Sequence, residues 1–439
     1  MLAFILELRM LVLSGRVYSF AALMAVIWGL WAIRALLARR YRPWLRSWSL
    51  PASVIIPVAG EEPELFAEVL RRIMAQQPHE ILVVINGPLD PALAAVCDAA
   101  AGVTWTWTPV ASKRNALSVA LERATGDVAV IVDSDTVWTP TTLAELMKPF
   151  RDPDVGGVTT RQRIFWPRRS VLTRWADWLE AVRSEYALPA MSVLGTVGCL
   201  PGRTLAIRTQ ILRQAMPEFL TGRFLGIILE VSDDRTLTNL VLKAGYRTVY
   251  QSASLVYTDA PVKVGTLIRQ QLRWARGSQY NTLRMLPWMT RHAPLLAVFY
   301  LADIVIPFML VSSVVSWVTA SWSTPDLYDS LPLPTVHWEA AVTLVTLAIV
   351  MTVLSISVRF GRHFAYAPAD LLYLPAFTAI NTLLLMPIRV AGFMRMAHDS
   401  GWGTRGGAGY AGTRRRNPQV IIPYALAVLL LAAAVRAGV

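Results

Sequence analysis

Between residues 51 and 265 the chain alternates short apolar runs with amphipathic stretches, which is the pattern of an α/β domain. Apolar runs at 52–58, 81–85 and 128–132 have the length of buried strands. Apolar residues at helical spacing predict helices over 63–76 and 111–124. The order of these elements predicts a doubly wound parallel sheet. The chain has neither a G-x-G-x-x-G sequence nor a P-loop, which argues against a nicotinamide cofactor or a P-loop nucleotide.

Longer apolar stretches on both sides of this domain predict membrane helices. Residues 1–15 fit either an interfacial segment or part of a first span. The stretch 365–396 is interrupted by Pro375, Asn381 and Pro387, and a single crossing would carry several arginines to the outside, so we predict a re-entrant or interfacial element there. Four stretches are apolar enough to predict spans: 17–33, 293–320, 336–358 and the shorter 421–435.

Arginines after the first predicted span place the α/β domain in the cytoplasm by the positive-inside rule. Two stretches, 163–194 and 267–288, mix tryptophan with arginine at near-helical spacing; they predict amphipathic interface helices, although a plain surface helix explains the first equally well. The predicted organisation is an N-terminal membrane anchor (1–50), a cytoplasmic α/β domain (51–265), an interface-helix region (266–292) and a C-terminal membrane region (293–439) with a cytoplasmic loop at about 397–417.

The composition agrees with a multi-pass protein of a bacterial plasma membrane. Hydrophobic residues make up 54% of the 439 positions and charged residues only 16%, yet the net charge is +13. Basic cytoplasmic edges account for that charge, and no base-reading or stacking motif supports a nucleic-acid partner. The two cysteines, Cys97 and Cys199, are predicted to be free thiols.

Two aspartates follow the apolar run 128–132 directly. Asp133 and Asp135 stand one residue apart at the predicted carboxyl end of a strand, where open α/β sheets bind their ligands. Such a pair can converge on one hard cation that carries a diphosphate. The alternative is helix capping, because aspartate also favours that position.

Two further clusters suit phosphate and close backbone approach. Lys113 and Arg114 begin a predicted helix, where cations and free N–H groups can meet a phosphate; a solvated charge pair is the alternative. The segment Gly198–Arg203 contains two glycines and a proline, which allow the backbone to approach a ligand closely or form an ordinary tight turn.

Three other segments combine carboxylates, amides, guanidinium groups and aromatic rings. Glu230, Asp233 and Asp234 precede a predicted helix, where they serve either as caps or as a general base. The segment 269–274 reads Arg-Gln-Gln-Leu-Arg-Trp and suits a phosphate and a sugar face, or else anchors the chain at a membrane interface. The segment 400–405 repeats the aromatic and guanidinium groups on a loop able to close over a site.

The order of these motifs resembles that of processive family-2 glycosyltransferases, the family that includes cellulose and hyaluronan synthases. An Asp-x-Asp turn, a paired-acid segment and Gln-Gln-x-Arg-Trp before the membrane spans carry the resemblance, and Trp-Gly-Thr-Arg is similar to hyaluronan synthases in particular. Longer stretches are most similar to type 3 capsular polysaccharide synthases: 84–88, 132–140, 198–203, 230–239, 257–261 and 269–281.

The resemblance implies a GT-A domain inserted between transmembrane helices and a role for each candidate residue. Asp133 and Asp135 would bind Mg²⁺ or Mn²⁺ bridging the diphosphate of a UDP-sugar. Asp234, with Asp233 beside it, would be the catalytic base that deprotonates the acceptor hydroxyl in an inverting displacement. The other implied substrate-binding residues are Asn86, Lys113, Arg114, Gly202, Arg203, Gln270, Gln271, Arg273 and Trp274, with Trp402 and Arg405 on a gating loop.

One position departs from the broader family. Many family-2 enzymes carry aspartate at the end of the second strand, near the uridine, where this chain has Asn86 followed by Gly87. The first strand also ends without the common Tyr-Asn pair, so Glu61 or Glu62 is a candidate for the contact with uracil. The subgroup of type 3 synthases shares Asn-Gly, so the departure concerns how the base is read rather than whether a nucleotide binds.

The resemblance implies polymerisation of UDP-glucose and UDP-glucuronic acid into a β-linked, secreted polysaccharide, with the lipid bilayer and the growing chain as partners and a lipid primer as a further candidate. Hyaluronan or another β-glycan is an alternative product. A second alternative is transfer of a single sugar to a polyprenyl lipid. A third is a transporter or glycan-binding protein with a degenerate transferase domain, which the intact acidic and arginine motifs disfavour.

Overall fold

The computed structural model of the chain describes residues 16–228, 231–322, 350, 353–398 and 417–436. Some predicted features lie outside the described residues: the segment 1–15, Glu230, most of the span 336–358, and the loop residues Trp402 and Arg405. The chain divides into two compact units. One comprises residues 34–297 and 396–420, and the other comprises residues up to 33, residues 298–395 and residues from 421 onward.

Eight strands form one sheet in the described part of the first unit, in the order β3-β2-β1-β4-β7-β6-β8-β5. The strand β1 has the predicted bounds and is buried at all seven positions, as expected of a central strand covered on both faces. The strands are β1 (Ala52–Val58), β2 (Glu80–Asn86), β3 (Val103–Thr108), β4 (Val128–Val132), β5 (Val137–Trp138), β6 (Val155–Ile164), β7 (Thr204–Arg208) and β8 (Arg247–Thr258).

The prediction of a parallel sheet is wrong for β7 and β5, whereas β6 and β8 pair in parallel. Strands β3, β2, β1 and β4 are parallel, but β7 runs antiparallel to both β4 and β6, and β5 runs antiparallel to β8. The reason lies in the loop before β7, in which the Arg203 carbonyl accepts a hydrogen bond from the Asp133 backbone N–H at 3.1 Å. The chain therefore enters β7 at the carboxyl end of β4 and runs back along it.

Helices cover both faces of the sheet, which confirms the doubly wound α/β arrangement. Ile55 on β1 faces one core cluster, and its neighbours Val54 and Ile56 face the other, because successive side chains of a strand point to opposite faces of the sheet. The helices of this unit are α2 (Pro63–Met74), α3 (Pro91–Ala99), α4 (Lys113–Arg123), α5 (Thr142–Met147), α6 (Val171–Val182), α7 (Leu188–Val193), α8 (Thr209–Thr221), α9 (Asp233–Lys243) and α10 (Val264–His292); α1 (Arg16–Arg40) leads into it.

The two tryptophans of α6 do not face a membrane. Trp175 and Trp178 are 1% and 4% exposed and lie in the protein interior, so the prediction of an interface helix is wrong for these two side chains. Helical spacing of this kind predicts a lipid-facing stripe and a stripe that packs on the protein equally well. Trp166, just before the helix, is 70% exposed.

The second unit is largely helical. Three stretches in the described residues are long and apolar enough to cross a membrane: Pro294–Ser312, Pro368–Met394 and Pro418–Val435. The middle one is broken into consecutive helical pieces, including a π-helical turn at Ile380–Leu385, and the re-entrant or interfacial element predicted there stays a prediction. The remaining helices are α11 (Pro294–Trp322), α12 (Gly361–Tyr366), α13 (Leu374–Ala379), α14 (Met386–Met394) and α15 (Ile421–Arg436).

Candidate active site

The Asp-x-Asp turn closes directly after β4. The Thr136 N–H donates to the Asp133 carbonyl at 3.0 Å, so Asp133 and Asp135 lie on one tight turn, and both are half-buried. Between them, the Ser134 hydroxyl donates to Glu61 Oε2 at 2.8 Å. Glu61, a candidate for the uracil contact, is therefore tied to the turn, and it is only 6% exposed.

Lys113 reaches this turn from the start of α4. The helix is capped by the Ser112 hydroxyl, which accepts from the Asn115 N–H at 3.4 Å, and this cap places Lys113 at the first helical position. Its ammonium group forms an ion pair with Asp133 Oδ1. Burial by itself lowers the pKa of Lys113, but the charge and hydrogen bond of Asp133 and, to a smaller extent, the charges of Asp233 and Asp234 outweigh it and raise the pKa. Lys113 is therefore a permanent cation beside the turn.

Gly202 marks the point where three candidate residues meet. A Cβ atom placed on Gly202 would lie 3.5 Å from Lys113 Nζ, 3.6 Å from Asp234 Cβ and 3.7 Å from Asp133 Oδ2. The Gly202 N–H also donates to Asp234 Oδ2 at 3.2 Å. Because glycine has no side chain, the backbone passes through this cluster and leaves room beside two carboxylates and an ammonium group.

The Asp234 carboxylate is held by several donors at the start of α9. Its Oδ1 accepts from the Arg235 N–H at 2.8 Å and from the Ser232 hydroxyl at 3.3 Å. Its Oδ2 accepts from Gly202 and lies 3.7 Å from Cys199 Sγ. Burial, the largest cause, raises the pKa of the Cys199 thiol to about 12, so that thiol is neutral and can act as a donor. Asp234 is thus fixed in orientation while it stays half-buried and open to a substrate hydroxyl.

Asp233, the preceding residue, points into the protein. Its Oδ1 accepts from Arg114 Nε at 2.6 Å, and the two side chains are only 8% and 6% exposed. Arg114 also donates to the Phe219 carbonyl at 2.6 Å, and its guanidinium carbon lies 4.5 Å from the Phe219 ring centroid. The catalytic role of Asp233 and the substrate-binding role of Arg114 stay predictions, and this geometry favours a structural role for both.

The helix α10 packs closely against the start of α9. A Cβ atom on Gly277 would lie 2.4 Å from Ser232 Cβ, so only glycine permits this approach. Ser232 itself has a φ of 63°, in the left-handed region that non-glycine residues rarely adopt. Arg235 extends the contact by donating to the Thr282 hydroxyl at 2.8 Å. The helix is therefore held against the acidic segment along more than one turn.

This packing brings Arg273, one turn before Gly277, into electrostatic range of the carboxylates. Burial lowers the pKa of the Arg273 guanidinium, and the charges of Asp133 and Asp234, followed by Asp233 and Asp135, act in the opposite direction. An arginine stays charged under such opposing influences. Arg273 and Lys113 therefore provide two cations for a diphosphate near the Asp-x-Asp turn.

Arg203, the last residue of the loop Gly198–Arg203, lies near the indole ring of Trp274 on α10, which is called the Trp274 plate below. Its Nη1 donates to Glu180 Oε1 at 2.5 Å and to Gln162 Oε1 at 2.7 Å, and its guanidinium carbon lies 6.0 Å from the Trp274 ring centroid. Gln270, Gln271 and Trp274 line a pocket with Arg203 and Glu180. Sequence reasoning missed Gln162 and Glu180; the one available signal was an acid inside the apolar stretch of α6.

Asn86, at the end of β2, offers an unused acceptor. Its amide nitrogen donates to the Val58 carbonyl at 3.1 Å, whereas its Oδ1 is buried and has no hydrogen-bond partner within the described part of the chain. A buried acceptor in this state is costly unless a ligand satisfies it.

The carboxylates fit a divalent cation that arrives with a diphosphate. In the described residues, no group of three or more His, Cys, Asp or Glu side chains is arranged to hold a metal alone. Mg²⁺ is commonly held by one or two carboxylates together with substrate phosphates and waters, and Mn²⁺ accepts the same oxygen donors. Asp133 and Asp135 meet that requirement, with space beside Gly202 for the remaining donors.

The chain is similar in sequence to several named enzymes. An N-acetylglucosaminyltransferase of Rhizobium sp. (strain N33) is 30% identical over 299 residues, which is 67% of this chain and 61% of that protein. An N-acetylglucosaminyltransferase of Mesorhizobium japonicum is 28% identical over 366 residues, covering 81% of this chain and 82% of that protein. A hyaluronan synthase of Streptococcus pyogenes is 24% identical over 368 residues, covering 80% and 83%.

The fold has a counterpart among solved structures. The mannosyltransferase PcManGT from Pyrobaculum calidifontis, solved in complex with GDP-Man and Mn²⁺, superposes with a TM-score of 0.60 at 20% identity and covers 87% of this chain and 99% of that one. The match supports the GT-A-like α/β fold. The family model described as "Glycosyltransferase like family 2" matches residues 51–277, which span the sheet, the Asp-x-Asp turn and the first half of α10. The chain therefore belongs to glycosyltransferase family 2.

Proposed function

We propose that this enzyme transfers sugars from UDP-sugars to the hydroxyl end of a growing β-linked glycan at the site around Gly202. The observation that carries the proposal is the meeting of Lys113, Asp133 and Asp234 within 3.5 to 3.7 Å of one point. A cation and a carboxylate suited to a metal-bound diphosphate stand there beside a second carboxylate suited to a base. This is the pair of functions that an inverting glycosyl transfer requires.

The residues divide the reaction between them. Asp234 accepts the proton of the acceptor hydroxyl as that oxygen bonds to the anomeric carbon and the bond from this carbon to the diphosphate oxygen breaks. UDP leaves on the opposite face, so the anomeric configuration inverts. Lys113 and Arg273 neutralise charge that develops on the diphosphate. A divalent cation held by Asp133 and Asp135 supplies further charge neutralisation when it is bound.

The remaining predicted residues surround this centre in the proposal. The free Oδ1 of Asn86 suits an N–H donor of the nucleotide base. Gln270, Gln271 and Trp274 suit the acceptor end, because an aromatic face and amides match the faces and hydroxyls of a sugar. Trp402 and Arg405 retain their predicted role on a gating loop outside the described residues.

Two observations favour different donor sugars for the proposed reaction. The resemblance to type 3 capsular polysaccharide synthases favours UDP-glucose with UDP-glucuronic acid, polymerised at a bacterial plasma membrane and exported. The names of the relatives favour a second candidate, transfer of N-acetylglucosamine, either alone or with glucuronic acid. The proposed catalytic arrangement is the same in both.

A donor panel tests the proposal and separates the candidates. Purified protein is incubated with Mn²⁺ and with UDP-glucose, UDP-glucuronic acid or UDP-N-acetylglucosamine, singly and in pairs, and the labelled product is sized. Polymer that requires UDP-glucose and UDP-glucuronic acid together supports the first candidate, and incorporation of N-acetylglucosamine supports the second. A chloroform-soluble product would identify transfer to a lipid, and failure to release UDP from any donor would refute a transferase of this kind.

A further inference from the structure

We infer that Glu180 is a positioning residue that acts through Arg203 to hold the Trp274 plate in place for the acceptor. The inference rests on the proposed function and assigns a role to a helix, α6, that carries none of the motifs. Glu180 is a buried carboxylate, 6% exposed, on a helix that contacts β6. Its partner Arg203 belongs to the loop that also carries Gly202.

The charges around Glu180 show that it is held ionised. Burial raises its pKa, but Arg203 and Arg183 outweigh burial and hold the pKa below its usual range. Arg203 Nη1 lies 2.5 Å from Glu180 Oε1, and Arg183 Nη1 lies 3.7 Å from Oε2. The π-helical turn Arg183–Ala187 begins directly after α6, and such turns are frequent at functional sites.

Arg203 contacts both Trp274 and the Asp-x-Asp turn. Its guanidinium group lies over Trp274, which is 38% exposed and therefore has a face available to a sugar. Its backbone carbonyl accepts the Asp133 N–H at 3.1 Å. One residue thus joins the aromatic plate to the Asp-x-Asp turn, and Glu180 fixes the direction of its side chain. Without the carboxylate, the Arg203 guanidinium group would lose its ion-pair partner and keep only the neutral Gln162 oxygen as an acceptor for Nη1, which restrains its rotamer less.

The same helix offers a matched control. Asp177, 5% exposed, makes a two-point ion pair with Arg163 at 2.9 and 2.7 Å. It is as deeply buried as Glu180 and also binds an arginine, but Asp177 is not among the residues that line the Trp274 pocket. A merely structural role would make Glu180→Gln and Asp177→Asn behave alike.

The test compares these two variants in the full-length protein. With Glu180→Gln we expect the mean length of the polymer to fall at least about fivefold while the KM for the donor changes less than about twofold, because a small misplacement of a positioning group impairs only the step that uses it. With Asp177→Asn we expect a lower thermal unfolding midpoint and polymer of wild-type length. Equal product lengths in the two variants would overturn the inference.

A second readout needs no substrate. The emission of Trp274, taken as the difference between each protein and its Trp274→Phe derivative, should shift in Glu180→Gln and stay unchanged in Asp177→Asn. An unchanged difference spectrum in Glu180→Gln would contradict the inference even if the wild-type protein formed no product, an outcome that would refute the proposed function separately. If Glu180→Gln does not fold, Glu180→Asp, which keeps the charge but withdraws it by one methylene, serves in the same two measurements.

Discussion

Two adjacent aspartates should give opposite phenotypes, because one is buried in an ion pair and the other faces the site. Asp233 Oδ1 and Arg114 Nε are 2.6 Å apart, with side chains 8% and 6% exposed. Asp233→Asn keeps the shape but leaves the Arg114 charge without its carboxylate. Breaking a buried pair on one side costs about 3–5 kcal/mol. For a domain of this size, that loss lowers the unfolding midpoint by roughly 10 °C.

Asp234→Asn should have the reverse effect. The amide retains contacts with the surrounding donors on at least one oxygen and leaves the folded state close to that of the wild type. It removes the group that accepts the proton, so we expect the transfer rate to fall about 10²- to 10⁴-fold. The rate per folded molecule of Asp233→Asn should stay within about threefold of the wild type, because its carboxylate is engaged by Arg114 in the protein interior.

The assay pairs thermal unfolding of purified protein, followed by tryptophan fluorescence, with UDP release measured well below the midpoint. A third variant combines Arg114→Met with Asp233→Asn and so removes both charges. It should be no less stable than Asp233→Asn alone, since the changes in unfolding free energy of two interacting residues do not add. A stable Asp233→Asn protein with the activity loss of Asp234→Asn would refute this reasoning and restore Asp233 to the catalytic role that the sequence predicts.

Other predictions address the metal, the glycines and pH. Asp133→Asn and Asp135→Asn should each lower the transfer rate by at least about 10²-fold, and a chelator should abolish wild-type transfer until Mn²⁺ or Mg²⁺ is returned. Gly202→Ala makes only ordinary contacts of 3.5–3.7 Å and should fold normally but raise the donor KM, whereas Gly277→Ala meets the facing serine at 2.4 Å and should lower the unfolding midpoint instead. The pKa of Glu180 is lowered from 4.5 on folding, so the ionised Glu180 stabilises the folded state above that pH. This stabilisation is lost as the pH falls through the lowered pKa. Glu180→Gln should therefore weaken the acid dependence of the unfolding midpoint. Equal midpoints for the two glycine variants, or an unchanged acid dependence, would contradict these assignments.

The strands that the sequence predicts well are the buried parallel strands at the centre of the sheet. Residues 52–58 and 128–132 have the same bounds in prediction and structure, because an apolar run with polar punctuation has few other solutions. The position of Asp133 followed from that strand end, and the fold accounts for Lys113 and Gly202 beside it.

The features that sequence reasoning missed depend on partners distant along the chain. Arg114 and Asp233 are 119 positions apart, and a Lys-Arg pair at a helix start gives no sign that the arginine turns inward. Glu180 and Arg203 are 23 positions apart on different elements. The antiparallel strand β7 depends on the direction from which a loop enters the sheet, which composition does not encode.

The tryptophans of α6 illustrate a limit of a different kind. Helical periodicity identifies an apolar face but not the medium that covers it, so Trp175 and Trp178 fitted a membrane interface as well as a protein core. The surrounding arginines supported the first interpretation because their acidic partners, such as Asp177 for Arg163, were not recognised.

We propose Asp234 as the base of a metal-dependent transfer from a UDP-sugar. The most direct measurement is the rate of UDP release, with Mn²⁺ and the donors that the panel identifies, by wild-type protein and by Asp234→Asn at equal folded concentration. We expect rapid release by the wild type, none without the cation, and a rate at least about 10²-fold lower for Asp234→Asn with an unchanged unfolding midpoint. Release by Asp234→Asn at the wild-type rate would contradict this proposal.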